Sequence, residues 1–167
     1  MDVEVTPALL LEAPLVADLV HQYLGEFAKR QGRTSDADGR FRYPNLDQYW
    51  EEVGRHPFLI RVDSHLAGFA LVAQRRLIEA GQPGYAVAEF FVLDAYRRKG
   101  VGRDAACAIF DRFPGPWWVA EAEWNAPAHA FWRSVIAQYT EEQYEEERVS
   151  WGSERAVVQT FVANPSV

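Results

Sequence analysis

The chain has 167 residues, 49% of them apolar, with six tryptophans and a formal charge of −7. That composition excludes a disordered polymer, and the length predicts a single domain over residues 1–167 with a sizeable core. The acidic balance argues against a nucleic-acid partner, which wants a basic face, and suits a cationic small molecule.

Val3 to Val5 reads as a short strand. Pro14 then suits the first turn of a helix. Val16, Leu19, Val20, Tyr23, Leu24 and Phe27 recur at helical spacing and give that helix one apolar face. Gly32 to Arg40 is polar and rich in Gly, Asp and Ser, so it reads as a loop. Asn45 is expected to cap a second helix carrying Leu46, Tyr49, Trp50 and Val53 and ending near Gly54.

Phe58 to Val62 and Leu66 to Ile78 read as strands joined by the tight turn Asp63-Ser64-His65. Gln82-Pro83-Gly84 is a turn before the strand Tyr85 to Leu93. A helix is predicted from Gly102 to Phe113, stopped by Pro114-Gly115-Pro116, and a strand from Trp117 to Glu123. Asn125 can cap a helix to about Ala137, with Pro127 in its first turn. Strands from Gln138 to Ser150 and Arg155 to Val162 close the chain around Trp151-Gly152-Ser153. Over half of the net charge lies here: Glu141, Glu142, Glu145, Glu146, Glu147 and Glu154 face only Arg148 and Arg155.

No internal repeat is visible. No apolar run is long enough to span a bilayer, and no basic N-terminal segment leads into an apolar core. The expectation is a cytoplasmic protein with no membrane partner. The lone Cys107 excludes an internal disulfide and reads as a small buried hydrophobe.

Residues 88 to 103 carry the strongest chemical signal. An apolar run, Phe90-Phe91-Val92-Leu93, leads to a basic turn, and two glycines then open an amphipathic stretch. Amides in the first turn of a helix have no intrahelical partner, and the helix dipole makes that end favourable for an anion. Gly100 and Gly102 let a ligand approach the backbone closely and adopt positive φ at little cost. Arg97, Arg98, Lys99 and Arg103 surround the turn with cations. Together these predict a phosphate-binding loop on a strand–loop–helix frame. Gly100-Val101-Gly102-Arg103-Asp104-Ala105 also fits a dinucleotide fingerprint, with Glu121 about twenty residues later. Against it, six residues separate the strand from the first glycine, and too little chain follows Glu121 for a doubly wound sheet.

The pattern Arg-x-x-Gly-x-Gly formed by Arg97, Gly100 and Gly102 resembles the GCN5-related N-acetyltransferases. The order β, α, α, β, β, β, α, β, α, β, β fits the same family. It implies an α/β (α+β) fold: a single mixed, mostly antiparallel sheet of about seven strands with helices on both faces. The resemblance implies that the segment Arg97, Arg98, Lys99, Gly100, Val101, Gly102 and Arg103 holds the pyrophosphate of acetyl-CoA. It also implies that the backbone of Phe90, Phe91 and Val92 bonds the pantetheine arm at a gap between splayed strands, where a backbone amide polarises the acetyl carbonyl. Asn125, Ala128 and Trp132 match the family's second anchor, an Asn, a small residue and an aromatic at fixed spacing. Asn125 can bond the pantetheine amides, cap the helix, or do both. Many members carry Tyr at the position of Trp132, where its hydroxyl protonates the leaving thiolate. An indole cannot do this, so Trp132 is expected to pack beside the coenzyme or in the core, and the acid is open between Tyr96 and Tyr139.

A neutral amine must attack the thioester, so a proton acceptor is needed. Glu89 is the first candidate, on the strand before the loop, where apolar neighbours can raise its pKa. Glu121 and Glu123, on one face of the next strand by their spacing, are the second. His21, His56, His65 and His129 share no ligand spacing, so no metal is expected, and His129 is expected to be exposed. Tyr23, Phe27, Tyr43, Tyr49 and Trp50 are read mainly as helix-face packing, with a cation–π box for an amine as the alternative. These readings describe an acetyl-CoA-dependent N-acetyltransferase acting on a small cationic amine by direct attack in a ternary complex. A non-catalytic acyl-CoA-binding sensor and a dinucleotide enzyme are the rivals. A homodimer stays open.

Overall fold

The computed structural model describes residues 1–76 and 83–165. Its elements are β1 (Val3–Pro7), α1 (Ala13–Phe27), α2 (Gln48–Glu51), β2 (Arg55–Val62), β3 (His65–Arg76), β4 (Pro83–Val92), α3 (Val101–Arg112), β5 (Gly115–Ala122), α4 (Ala126–Tyr139), β6 (Tyr144–Trp151) and β7 (Glu154–Ala163). The strands form one mixed sheet in the order β1-β2-β3-β4-β5-β7-β6. The pairs β1–β2, β5–β7 and β6–β7 are antiparallel, and β4 pairs β5 in parallel across α3. That arrangement overturns the doubly wound, dinucleotide-type alternative. By spatial contact the chain divides into two compact units: Met1–Val72 with Glu89–Gly102, and Ala73–Ala88 with Arg103–Val167.

In the first unit, α1 buries Val16, Leu19, Val20 and Leu24 as its spacing predicts, and Pro14 lies in its first turn. Its core also takes Phe58, Leu59, Ile60, Phe69 and Leu71 from β2 and β3. The β2–β3 turn has positive φ at Asp63 (48°) and Ser64 (68°), the type I′ form whose twist matches the strands it joins. The second helix departs from expectation. It has four residues, with Asp47 rather than Asn45 at its N-cap, and Val53 is fully exposed. Asn45 takes φ 58°, and the amides of Gln48, Tyr49 and Trp50 bond three residues back, so residues 45–47 wind tightly into a short helix.

In the second unit, Phe110 lies 4.9 Å from both Trp117 and Phe161 and 5.2 Å from Tyr139, ring to ring. The Trp117 indole donates to the Phe113 carbonyl at 2.9 Å, closing the end of α3. Asn125 caps α4 by accepting from the Ala128 amide at 3.3 Å, with Pro127 in the first turn. This helix runs to Tyr139, beyond Ala137, and a turn with positive φ at Glu141 and Glu142 delays β6 until Tyr144. The edge strand β6 exposes Glu145 and Glu147, charges that protect an open edge from unwanted pairing. Pro83 and Gly84 belong to β4 rather than to a turn; Gln82 and the expected end of the preceding strand at Leu77 and Ile78 lie outside the described residues.

Candidate acetyl-transfer site

The basic loop follows β4 through a single 3-10 turn, Asp94–Tyr96, and enters α3 at Val101. Arg98 has φ 58° and Gly100 has φ 86°. Two left-handed residues flanking Lys99 curl the backbone as an anion nest requires. Gly102 is helical and does not take positive φ, contrary to expectation. Val101 is fully buried and anchors the first turn, while Arg98, Lys99 and Arg103 are exposed.

The four cations differ in what holds them. Arg97 Nε donates to the Val92 carbonyl at 2.7 Å. Its guanidinium meets Glu26 of α1 at 2.8 and 3.0 Å and lies 5.2 Å from the centre of the Phe91 ring. Arg97 therefore braces the loop against β4 and α1. Lys99 Nζ donates to the Ala95 carbonyl at 2.7 Å, and Arg103 pairs with its neighbour Asp104 at 2.9 Å.

On β4, Phe91 and Val92 are buried, and Glu89 and Phe90 are half-buried. The strand is pressed against β3: a Cβ on Gly68 would stand 2.1 Å from the Phe91 carbonyl oxygen. Glu89 Oε2 accepts the Tyr23 hydroxyl of α1 at 2.6 Å. Burial raises the pKa of Glu89, opposed by hydrogen bonds from Tyr23 and Tyr43 and by the charge of Arg33. Burial and the Glu89 carboxylate push the Tyr23 phenol far up, and the Tyr43 phenol likewise. The segment bearing Tyr43 is tied to α1 by the Arg40–Asp18 ion pair and by the Phe41 amide, which donates to His21 Nδ1 at 3.0 Å. Sequence spacing did not reveal the Tyr23–Glu89 bond, because its partners are 66 residues apart.

In the second unit, Trp132 is 6% exposed and packs edge-on to Phe131 at 4.9 Å. Tyr139 is committed elsewhere: its hydroxyl donates to Asp111 at 2.7 Å, and burial together with that carboxylate raises its pKa. Tyr96 sits half-buried in the 3-10 turn. Cys107 is half-buried and burial pushes its thiol pKa up, which disfavours a nucleophilic thiolate.

Glu121 and Glu123 do not act as a pair. Glu121 is 6% exposed, whereas Glu123 lies past the end of β5, exposed between Arg148 at 3.0 Å and Arg155 at 3.5 Å. Gln159, fully buried on β7, donates through Nε2 to Glu121 Oε1 at 2.7 Å and to Glu146 Oε2 at 3.1 Å. His129 is not exposed as expected; it is half-buried and meets Glu146 at 3.2 Å. Burial pushes the Glu121 carboxyl up to about 7. Gln159 had no signal of its own beyond being polar within a buried run. Among the described residues no group of His, Cys, Asp and Glu is arranged to hold a metal, and no helix is long and apolar enough to cross a membrane.

Residues 19–135 match the family model for the acetyltransferase (GNAT) family. The fold is similar to that of a GNAT-family acetyltransferase from Desulfovibrio desulfuricans, with TM-score 0.67, 14% identity, and 98% of this chain and 100% of that one covered. It is also similar to the ribosomal-protein-S18-alanine N-acetyltransferase of Escherichia coli, with TM-score 0.61, 14% identity and 99% and 97% covered. An aminoglycoside acetyltransferase from an uncultured soil metagenomic sample, solved with sisomicin, matches with TM-score 0.63, 14% identity and 90% and 93% covered. No curated protein matches the sequence. At such identities the structural likenesses speak for the fold; the family model, spanning well over half of the chain, shows that this protein belongs to the GNAT acetyltransferase family.

Proposed function

We propose that this protein transfers the acetyl group of acetyl-CoA to the primary amine of a small cationic acceptor, by direct attack in a ternary complex. The observation that carries the proposal is the curled backbone at Arg98 and Gly100 leading into the first turn of α3. Such a nest, with exposed cations on both sides, is the chemistry a pyrophosphate needs. Arg98, Lys99, Gly100, Val101, Gly102 and Arg103 would hold the pyrophosphate, and the β4 backbone at Phe90–Val92 the pantetheine arm. Arg97 supports that loop from behind through Glu26 and the Val92 carbonyl.

Glu89 is the base in this reading. It is a half-buried carboxylate on the strand that leads into the loop, and burial raises its proton affinity. It takes a proton from the acceptor ammonium, and the neutral amine then attacks the thioester carbonyl; as the amide C–N bond forms the C–S bond breaks, and the departing CoA thiolate takes the second proton from nitrogen. The similar proteins are named for a ribosomal-protein alanine and for an aminoglycoside, so the fold is compatible with protein or small-molecule acceptors. The acidic chain and the aromatic surroundings of Glu89 favour a small cation.

Trp132, buried where many relatives have Tyr, supports a second reading: a non-catalytic acyl-CoA sensor. Two measurements test both. Acetyl-CoA at about 100-fold over its Kd should raise Tm by roughly 5–10 °C, and NAD should not. An amine panel followed by free-thiol release should then show acceptor-dependent turnover. A shift with NAD alone sinks both readings, and coenzyme binding with no turnover on any amine leaves the sensor.

A further inference from the structure

Resting on the reading of Glu89 as the base, we propose that Tyr23 is its positioning residue: the phenol fixes the carboxylate by donating to Oε2 and holds it in the ionised form that can take the acceptor's proton. The geometry is local to the first unit. Tyr23 projects from α1, and its ring is held by three others, with centroids 5.8 Å from Phe27, 5.9 Å from Phe69 and 5.6 Å from Phe91. Contacts on several sides leave the hydroxyl one place to go, and it reaches Glu89 Oε2 at 2.6 Å. A phenol donating to a carboxylate at this distance makes a short, charge-assisted bond.

The base faces an energetic conflict that this bond resolves. Burial alone disfavours a carboxylate and drives it to the protonated form, which cannot accept a proton. The groups facing Glu89 are Tyr23 from α1 and Tyr43 and Arg33 from the segment between α1 and α2, and all three favour the ionised form. Tyr23 makes the 2.6 Å contact and belongs to a regular helix. Tyr43 and Arg33 lie on irregular chain. Tyr23 keeps its own proton throughout, because burial and the neighbouring charge make the phenol a very weak acid. The transfer is complete without another reactant: an ammonium N–H bond breaks, a carboxyl O–H bond forms at Glu89, and the nitrogen keeps its lone pair.

The test titrates Glu89 directly, using protein labelled with carbon-13 at the glutamate side-chain carboxyl. The Glu89 signal is assigned by its loss in Glu89→Gln. Tyr23→Phe keeps the ring and removes the hydroxyl, and its Glu89 midpoint should rise by about one unit, a tenfold fall in ionised fraction below the midpoint. The acidic limb of kcat/KM, with an alkyl diamine as acceptor, should rise with it. A fluorinated tyrosine at position 23 has the same shape and a more acidic phenol. It should lower the midpoint, and this arm decides the matter if Tyr23→Phe does not fold. A Glu89 midpoint that ignores the hydroxyl in these variants overturns the inference. Glu89→Gln turning over at the wild-type rate would instead overturn the base reading on which it rests.

Discussion

Gln159 and Glu121 meet at 2.7 Å inside the second unit, Nε2 to Oε1, and the contact follows from strand register. Gln159 stands opposite Val119 on β5 and opposite Glu146 on β6. Glu121, two residues on from Val119, is its diagonal neighbour on the same face. One amide nitrogen thus bridges two carboxylates, and His129 of α4 meets the outer one at 3.2 Å. Glu121 Oε2 and Gln159 Oε1 are buried without a hydrogen-bond partner.

This makes stability depend on pH in a definite direction. Burial, the larger cause, and the Glu146 charge raise the Glu121 pKa to about 7 from its ordinary 4.5, against the Gln159 bond and the His129 charge. Between these values the folded chain keeps a proton that the unfolded chain has lost, so stability falls as pH rises from 4.5 to 7 and then levels. Glu121→Gln removes the ionisation and keeps an acceptor for Gln159. Its advantage over the wild type should be absent near pH 4 and reach roughly 2–4 kcal/mol at pH 8, at 1.36 kcal/mol per unit. Urea titrations at both pH values check this; a constant difference, or one of opposite sign, contradicts it.

Gly68→Ala should be costly although the position is in a regular strand. The added methyl would lie 2.1 Å from the Phe91 carbonyl oxygen and 3.1 Å from the Val92 Cα, both backbone atoms that cannot rotate away. We expect a loss of at least about 2 kcal/mol, seen as a lower urea midpoint at unchanged slope. An unchanged midpoint would show that β3 and β4 can part freely.

Gly102→Glu should abolish acetyl-CoA binding and leave the fold intact. Gly102 is in the first turn of α3 and half-buried, so a longer side chain there has an outlet but carries its charge to the anion nest. Calorimetry with acetyl-CoA reads the effect. Near-normal affinity in a folded variant means the phosphates sit elsewhere.

Trp132→Phe should keep most of the turnover on any amine found by the panel, since an indole is no proton source. Trp132→Ala should cost roughly 3–5 kcal/mol of stability, because the ring is 6% exposed and packs on Phe131. A selective fall of kcat in the Phe variant, with coenzyme affinity preserved, would give the indole a chemical role.

What the sequence determined by itself was whatever depends on neighbours along the chain. The apolar period of α1, the left-handed residues Arg98 and Gly100 and the Asn125 cap of α4 are set within a few residues, and so is the turn expected at Asp63-Ser64-His65, of which His65 begins β3; spacing reveals such features. Local spacing failed for the second helix. Leu46, Tyr49, Trp50 and Val53 fit a helical face, but the tight winding from Asn45 leaves room for only four helical residues. The partner of each charged or polar side chain, by contrast, was set by how distant elements fold together. Glu121 and Glu123 share a period-two spacing, yet one is buried against Gln159 and the other is exposed between two arginines. Arg97 and Arg98 are adjacent, yet Arg97 is held by Glu26 while Arg98 faces solvent. Glu89 is joined to Tyr23 across 66 residues. A side chain's partner is set by which strands and helices fold together, and its proton affinity is set by that partner and by burial, neither of which is a property of the neighbouring sequence.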